Sequence, residues 1–207
     1  MDVFAKIKKY GINGILQLVL KKLFKTELMK FNYLKISLDY NSIQDKLKNF
    51  DLSVKELTYE DFLLGDKNEF FGEKLRVIKN RFNDPTYKCY GVVAKGVLVY
   101  SAWISLQKLG LPIRSNIQLL TNEGYFEDDF CHPSYRGQGI HGKMNSYRLS
   151  KLYEFGKTEC IIVIVSTNTP AIKTQINSGA RNLGSFTAGK ICGIPFVLLN
   201  KKIYDSQ

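Results

Sequence analysis

The sequence predicts a mixed α/β fold, and three stretches carry that prediction. Tyr125 to Cys131 alternates like a strand and Pro133 stops it; a short basic loop with Gly137, Gly139 and Gly142 follows, and residues 144–155 then take a helical pattern. Tyr87–Ala94 and Val97–Leu106 read as two strands joined by Lys95-Gly96, the clearest hairpin in the chain. Glu159 opens a continuously apolar run to Val165, as expected of a strand covered on both faces.

The chain has 207 residues, 44% hydrophobic and 13% aromatic, which suits one domain with an elaboration and a sizeable core. That composition excludes a disordered chain. The net charge is +11. No nucleic-acid motif or aromatic–basic ladder accompanies it, so no nucleic-acid partner is expected; an anionic cofactor, substrate or membrane surface would each suit it. Cys89, Cys131, Cys160 and Cys192 form no CxxC pair and mostly lie in apolar runs, which reads as buried reduced thiols. With no signal peptide recognised, the expected location is cytoplasmic. No apolar run reaches the ~20 residues a spanning helix needs.

Taken in order, residues 1–30 carry seven lysines against Asp2 and Glu27. Ile12, Ile15, Leu16, Val19, Leu20, Leu23 and Phe24 recur at helical spacing and make a basic amphipathic helix. Its apolar face would suit the domain itself, a second subunit as in a homodimer, or an anionic membrane. Residues 31–50 read as an adaptor, with Phe31–Leu38 strand-like and Ser42–Lys48 a short helix. The main domain is expected over 51–207, opening with a core strand at Leu52–Leu57 and helix-start residues Thr58 and Asp61. Phe70–Phe82 is a helix with Phe71, Leu75, Ile78 and Phe82 on one side, stopped by Asp84-Pro85. Trp103 reads as core. Residues 107–123 extend the third strand or line a substrate cleft. Pro170 suits the first turn of a helix that Ser178-Gly179 closes, and Phe186–Ala188 and Ile194–Ile203 are the last strands.

A strand, a Gly-rich turn and a helix in succession present unpaired N–H groups at a helix N-terminus, with the positive end of its dipole behind them. The expected ligand is a phosphate or pyrophosphate; the plainer reading is an ordinary tight turn. A P-loop needs Gly-x-x-x-x-Gly-Lys-Ser/Thr, which is absent. Gly137 to Gly142 matches Gly-x-Gly-x-x-Gly, but no parallel β-α-β unit surrounds it and Arg136 directly precedes it.

Cys131-His132-Pro133-Ser134-Tyr135-Arg136-Gly137-Gln138-Gly139-Ile140 resembles the acetyl-CoA-binding motif of the GNAT superfamily of N-acyltransferases, Gln/Arg-x-x-Gly-x-Gly/Ala. His141 stands where Gly or Ala is usual. Further on, Asn168, Ala171 and Gly179 match the family pattern, while Gln175 occupies the place of a Tyr that often protonates the leaving thiolate. The resemblance covers about residues 51–200. It implies a central mixed, mostly antiparallel sheet flanked by helices, with a splay between the fourth and fifth family strands, and acetyl-CoA as co-substrate with no metal. Backbone near Phe130 and Cys131 would hold the pantetheine, and Arg136, Gly137, Gln138, Gly139, Ile140, His141 and Gly142 the pyrophosphate; Lys143 could add charge, and Asn168 completes the expected cofactor-binding set.

Acyl transfer to an amine needs a neutral amine, a stabilised oxyanion and a leaving thiolate. Glu127 and Asp129 are the expected base candidates, placed by period-two geometry on one face with Asp128 on the other; the other reading is solvated acids binding cationic side chains. His132 is the alternative base. The leading expectation is an N-acetyltransferase acting on a primary amine. A GNAT-like core behind a Lys-rich helix is similar to acetyltransferases of bacterial surface-glycan pathways, which implies a nucleotide-linked amino sugar, at the inner face of the membrane. A protein or small-molecule amine, or a non-catalytic CoA-binding module, are the alternatives, with polyamines disfavoured by the basic charge.

Overall fold

The computed structural model describes residues 27–111 and 115–198. The apolar stripe Ile12–Phe24 of the expected basic helix lies outside the described residues. Glu27 and Lys30, counted with that helix, belong instead to a strand, β1 (Glu27–Ser37). Phe31 and Tyr33 bury in one apolar cluster, Leu34 and Ile36 in another, so alternation buries both faces of β1. It runs antiparallel between β8 (Glu159–Val165) and β9 (Arg181–Ile191), with Phe31 opposite both Val165 and Phe186. The stretch read as an adaptor thus supplies an inner strand, and after it α1 (Tyr40–Leu47). This helix starts earlier than expected, because the Asp39 carboxylate accepts from the Ser42 N–H at 2.8 Å.

The expected core strand at Leu52–Leu57 reduces to β2 (Lys55–Glu56), a two-residue edge paired with β3 (Tyr87–Ala94). A capping box of Thr58 and Asp61 opens α2 (Tyr59–Phe62). In α3 (Gly72–Phe82) one expected core residue moves out. Phe71 is the extended N-cap, not yet in helical phase, and is 65% exposed. Phe70 points inward in its place, edge-on to Phe62 and Phe130. β3 and β4 (Val97–Ser105) form the expected hairpin, with Trp103 buried against Phe62 and Phe82. β5 (Lys108–Leu111) and β6 (Ser115–Gln118) pair with each other apart from the main sheet. β7 (Glu123–Cys131), a 3-10 turn (Pro133–Tyr135), α4 (Ile140–Glu154), β8, α5 (Thr169–Asn177), β9 and β10 (Ile194–Leu198) follow.

The eight-stranded sheet has the order β10-β9-β1-β8-β7-β4-β3-β2. β7 and β8 are parallel; the other pairs are antiparallel. This is the mixed, mostly antiparallel sheet flanked by helices that the family resemblance implies. One face carries Ile43 of α1 with Met144, Leu149 and Leu152 of α4; the other carries Phe62, Ile78 and Trp103, and beside them Leu109 of β5.

The parallel pair decides where a site can form. β7 and β8 pair from Glu123 opposite Glu159 to Phe126 opposite Ile162 and then part. Beyond that point β7 stays with β4 and β8 with β1, which leaves a splay between them. At the closed end the buried Lys35 ammonium lies 2.8 Å from Glu159 Oε2 and 3.2 Å from Glu123 Oε1, joining three strands through one cation. Among the described residues no helix is long and apolar enough to cross a membrane. Cys89 and Cys160 are buried as expected, whereas Cys131 is half-buried and Cys192 exposed.

Candidate active site

Two cavities meet at the open end of the β7–β8 pair. One, about 690 Å³, lies on the α3 and β5 side and reaches Phe31, Arg81, Tyr87, Lys108 and Gly110. The other, about 660 Å³, lies on the α4 and α5 side and reaches Tyr100, Arg136, His141, Asn168 and Gln175. They share Tyr125, Glu127, Asp128, Val163 and Val165. The connection after β4 thus lines a cleft, one of the two roles open to it in the sequence.

The base candidates do not share a face, contrary to the alternation argument. Ser101 pairs with Phe130 and Trp103 with Glu127, so Ala102 faces two residues, Asp128 and Asp129. Asp128 takes a φ of +45° at this bulge. The extra residue breaks the period of two, and Glu127 and Asp128 fall on the α3 side while Asp129 turns toward α4. Arg81 of α3 bridges the first two: its Nη2 donates to Glu127 Oε1 at 2.6 Å and its Nη1 to Asp128 Oδ2 at 2.8 Å. Arg81 also sits over the Trp103 ring. Burial outweighs Arg81 at Glu127, with Asp128 adding repulsion, and pushes its pKa up to about 7. Glu127 Oε2 is buried with no hydrogen-bond partner among the described residues.

Asp129 is held very differently. The fully buried Arg148 of α4 grips it in a bidentate pair, 2.6 Å to Oδ1 and 2.8 Å to Oδ2. The same guanidinium donates to Asn145 Oδ1 at 2.6 Å and lies over Phe126. Because arginine only donates, Asn145 must turn its amide nitrogen to Gln175 Oε1, 3.2 Å away. Asn145 Nδ2 and Gln175 Nε2 then both approach His141 Nε2 at 3.4 Å, so this nitrogen accepts. The ring proton falls to Nδ1, 2.6 Å from Tyr100 Oη and 3.6 Å from Asp129 Oδ2. Burial, with Arg148 nearby, lowers the His141 pKa despite Asp129 and keeps the ring neutral. His141 and Gln175, the two departures from the family pattern, are therefore in contact.

The loop before α4 has the form its glycines suggest. Gly137 and Gly139 take φ of +77° and +73°, and no atom lies within 4 Å of where a Cβ would stand on either, so a ligand can approach the bare backbone. Helix α4 begins inside the expected loop, placing Ile140, His141, Gly142 and Lys143 in its first turn. The first N–H groups of that turn have no acceptor within the helix. Exposed Arg136 lines the adjoining cavity and donates from Nε to the Cys131 carbonyl at 3.1 Å. This donor set fits a pyrophosphate. Lys143 is paired with Asp51 at 2.6 Å, and Gln138 reaches back to the Ser134 carbonyl. Phe130 and Cys131 line the same cavity.

His132 is not brought to the cleft. Pro133 turns the chain outward, His132 Nδ1 accepts from the Ser134 N–H at 3.3 Å, and neither cavity includes it. Asn168 caps α5, its Oδ1 accepting from Ala171 N at 3.3 Å, and also lines the second cavity. Arg81, Tyr100, Gly110 and Arg148 were not singled out from sequence. Arg148 carried a usable signal, a cation on the apolar face of α4 between Met144 and Leu152. The other three meet the site only through long-range packing.

No protein-family model matches the sequence, and no curated protein does. Solved structures match the fold at low identity. A conserved protein of unknown function from Staphylococcus epidermidis has a TM-score of 0.58 at 11% identity, over 85% of this chain and 66% of that one. A protein of Novosphingobium aromaticivorans, described as a GNAT-family acetyltransferase, has 0.54 at 14%, over 79% and 66%. The glucosamine N-acetyltransferase region of a fungal multi-domain β-N-acetylglucosaminidase has 0.56 at 12%, over 86% and 22%. The chain thus spans slightly less than two thirds of the first two proteins and under a quarter of the third. The splayed parallel pair, the bulged strand and the Gly loop before a helix sit in a fold that this chain shares with GNAT-family acetyltransferases.

Proposed function

We propose that this chain is an acyl-CoA-dependent N-acyltransferase, moving an acetyl group to a primary amine with Glu127 as general base. The observation that carries the reading is the placement of Glu127. A carboxyl with its pKa near 7 and one unpaired oxygen stands where two cavities join, one of them ending at an anion-binding helix N-terminus. Acetyl-CoA, when bound, supplies the acyl group as a thioester. Residues Arg136–Gly139 and the first turn of α4 would hold its pyrophosphate, and backbone at Phe130 and Cys131 its pantetheine arm. Lys143 joins them only by leaving Asp51.

On the other side, Glu127 takes the proton that the attacking amine must lose. Asp129 does not compete for that role, since both its oxygens are committed to Arg148. Gln175 is almost fully buried and bonded to Asn145, so it stabilises the cleft wall and gives no proton. A thiol with an ordinary pKa of ~8.5 makes a tolerable leaving group without a dedicated acid.

For the acceptor, the cavity charges favour an amine without phosphates. The cations lining the first cavity, Arg81 and Lys108, are already paired, with Glu127 and Asp128 and with Asp84. A nucleotide-linked sugar would have to break those pairs to seat its diphosphate there. Free thiol release from acetyl-CoA with a panel of glucosamine, a nucleotide-linked amino sugar and simple amines tests the reading. Calorimetry with CoA tests the cofactor side: Gly139→Val, forced into a left-handed backbone, should bind at least about tenfold more weakly while folded. Unchanged CoA affinity in that variant would sink the assignment of the loop.

A further inference from the structure

The carboxylate of Glu127 is mostly covered, and by something besides its own strand. The β5–β6 hairpin crosses over it, and the residue at the crossing is Gly110. A Cβ built on Gly110 would stand 2.8 Å from Glu127 Oε1, 3.4 Å from Cδ and 3.5 Å from Oε2. The first of these is closer than real Cβ atoms come, so a side chain here requires the Glu127 carboxyl or the hairpin to shift. Gly110 has no left-handed φ to explain it, unlike Gly137 and Gly139. Its lack of a side chain serves contact alone.

The hairpin is fixed on both sides of this crossing. Leu109 and Leu111 are buried in the apolar cluster with Tyr125. Lys108 donates to Asp84 at 2.8 Å, and the Lys108 N–H donates to Ser105 Oγ at 3.1 Å. At the crossing itself the tie is weak: Tyr125 Oη donates to the Gly110 carbonyl at 3.4 Å. The carboxylate is held far more firmly, 2.6 Å from Arg81.

We propose that Gly110 is a positioning residue for Glu127, and that the β5–β6 hairpin is the wall that keeps water off that carboxylate and closes the acceptor side of the cleft. This rests on Glu127 being the base of the proposed acyl transfer. The charged and titratable groups around Glu127 are Arg81 from α3, Asp128 on its own strand, Tyr87 from β3 and Tyr125 from β7, with the Lys108–Asp84 pair and Glu73 at the rim. β1 and β8 bring Phe31, Val163 and Val165 to the cavity, which carry no charge. Among the described residues of the hairpin none brings a charge into contact with the carboxyl, so these residues act by exclusion of water. Lifting the hairpin hydrates Glu127 and favours the charged form.

The test is to follow the Glu127 carboxyl carbon by NMR titration in the full chain, in wild type, Gly110→Ala and Tyr125→Phe. The alanine methyl must displace the Glu127 carboxyl or the hairpin, and because Arg81 holds the carboxyl at 2.6 Å the hairpin is expected to give way. We expect the midpoint to fall by about a unit in Gly110→Ala and by less in Tyr125→Phe, which loosens the same crossing without a clash. The acid limb of the rate profile should move down with it. A midpoint that stays put in both folded variants, or rises, overturns the proposal. Should Gly110→Ala not fold, Tyr125→Phe decides alone. CoA affinity measured on the same samples separates the two readings. A wild type that binds no CoA would defeat the acyltransferase reading while a lowered midpoint in Gly110→Ala still showed the hairpin shielding Glu127; CoA binding with an unmoved midpoint would defeat the hairpin proposal alone.

Discussion

The two ends of the β7–β8 pair put the same chemistry to opposite uses. At the closed end Lys35, Glu123 and Glu159 form a buried ionic cluster between three strands. Its partners hold the Lys35 pKa above its ordinary value in spite of burial, so it stays charged throughout the neutral range. At the open end Arg81, Glu127 and Asp128 form a second cluster, but here burial wins over the cation and Glu127 titrates near neutrality. The difference lies in what completes each group. Glu123 has a neighbour at each oxygen, the Leu120 N–H donating to Oε2 at 3.0 Å and the Lys35 ammonium 3.2 Å from Oε1 as an ion pair without hydrogen-bond geometry, whereas Glu127 Oε2 has no hydrogen-bond partner among the described residues. A buried carboxylate with a cation or donor beside each oxygen makes structure; one with an oxygen left bare beside a cavity is free to exchange a proton.

The largest expected effect breaks the open end. Glu127→Gln should lower amine acetylation about 10²–10⁴-fold at neutral pH. The loss should shrink at high pH, where the amine is already neutral, with CoA affinity unchanged. Near-full activity across that range would remove Glu127 as the base. In the wild type, the rate should fall as pH drops below about 7. Arg81→Gln removes a charge that lowers this pKa, so the limb should move to higher pH.

Breaking the closed end should cost stability instead. Lys35→Met strands Glu123, which is 1% exposed, and should destabilise the fold by about 3–5 kcal/mol in chemical denaturation. Where this variant folds, its pH–rate profile should match the wild type. A shifted profile would show that the two ends are coupled.

A third measurement uses stability alone. Glu127 is raised in the fold from 4.5 to about 7, so its contribution is fully present below about 4.5 and is lost as pH rises through about 7. Wild type should therefore lose on the order of 2–3 kcal/mol over that window from this group, and Glu127→Gln should lack that component. Parallel curves for the two proteins would mean that Glu127 is hydrated. The smallest effect is expected at the helix beside the cleft: Asn168→Ala removes the cap of α5 and should cost about 1 kcal/mol, read from the denaturation midpoint. An unchanged midpoint would show that the cap bond is dispensable.

Local features of both ends were legible in the sequence. The glycines before α4, the Lys95-Gly96 turn, the Asn168 cap and the apolar run of β8 each follow from backbone preferences or periodicity within a few residues. The position of Glu127 on a strand entering a Gly loop was legible for the same reason. Its partner was not, because Arg81 lies 46 residues earlier and reaches it only once α3 packs on the sheet.

The sequence by itself therefore determined most of the element types, the glycine turn before α4 and the carboxylates Glu127 and Asp129 as candidate bases. Tertiary structure decided how each carboxylate is held. β8 stays paired with β1 to Val165 after its pairing with β7 ends at Ile162, and the cleft lies between the parted strands. The bulge at Asp128 sends Glu127 and Asp129 to opposite faces, and Arg148 neutralises one while the hairpin at Gly110 dehydrates the other. Local patterns specify backbone conformation, but the pKa of a carboxyl depends on which distant groups exclude water from it and which donate to it.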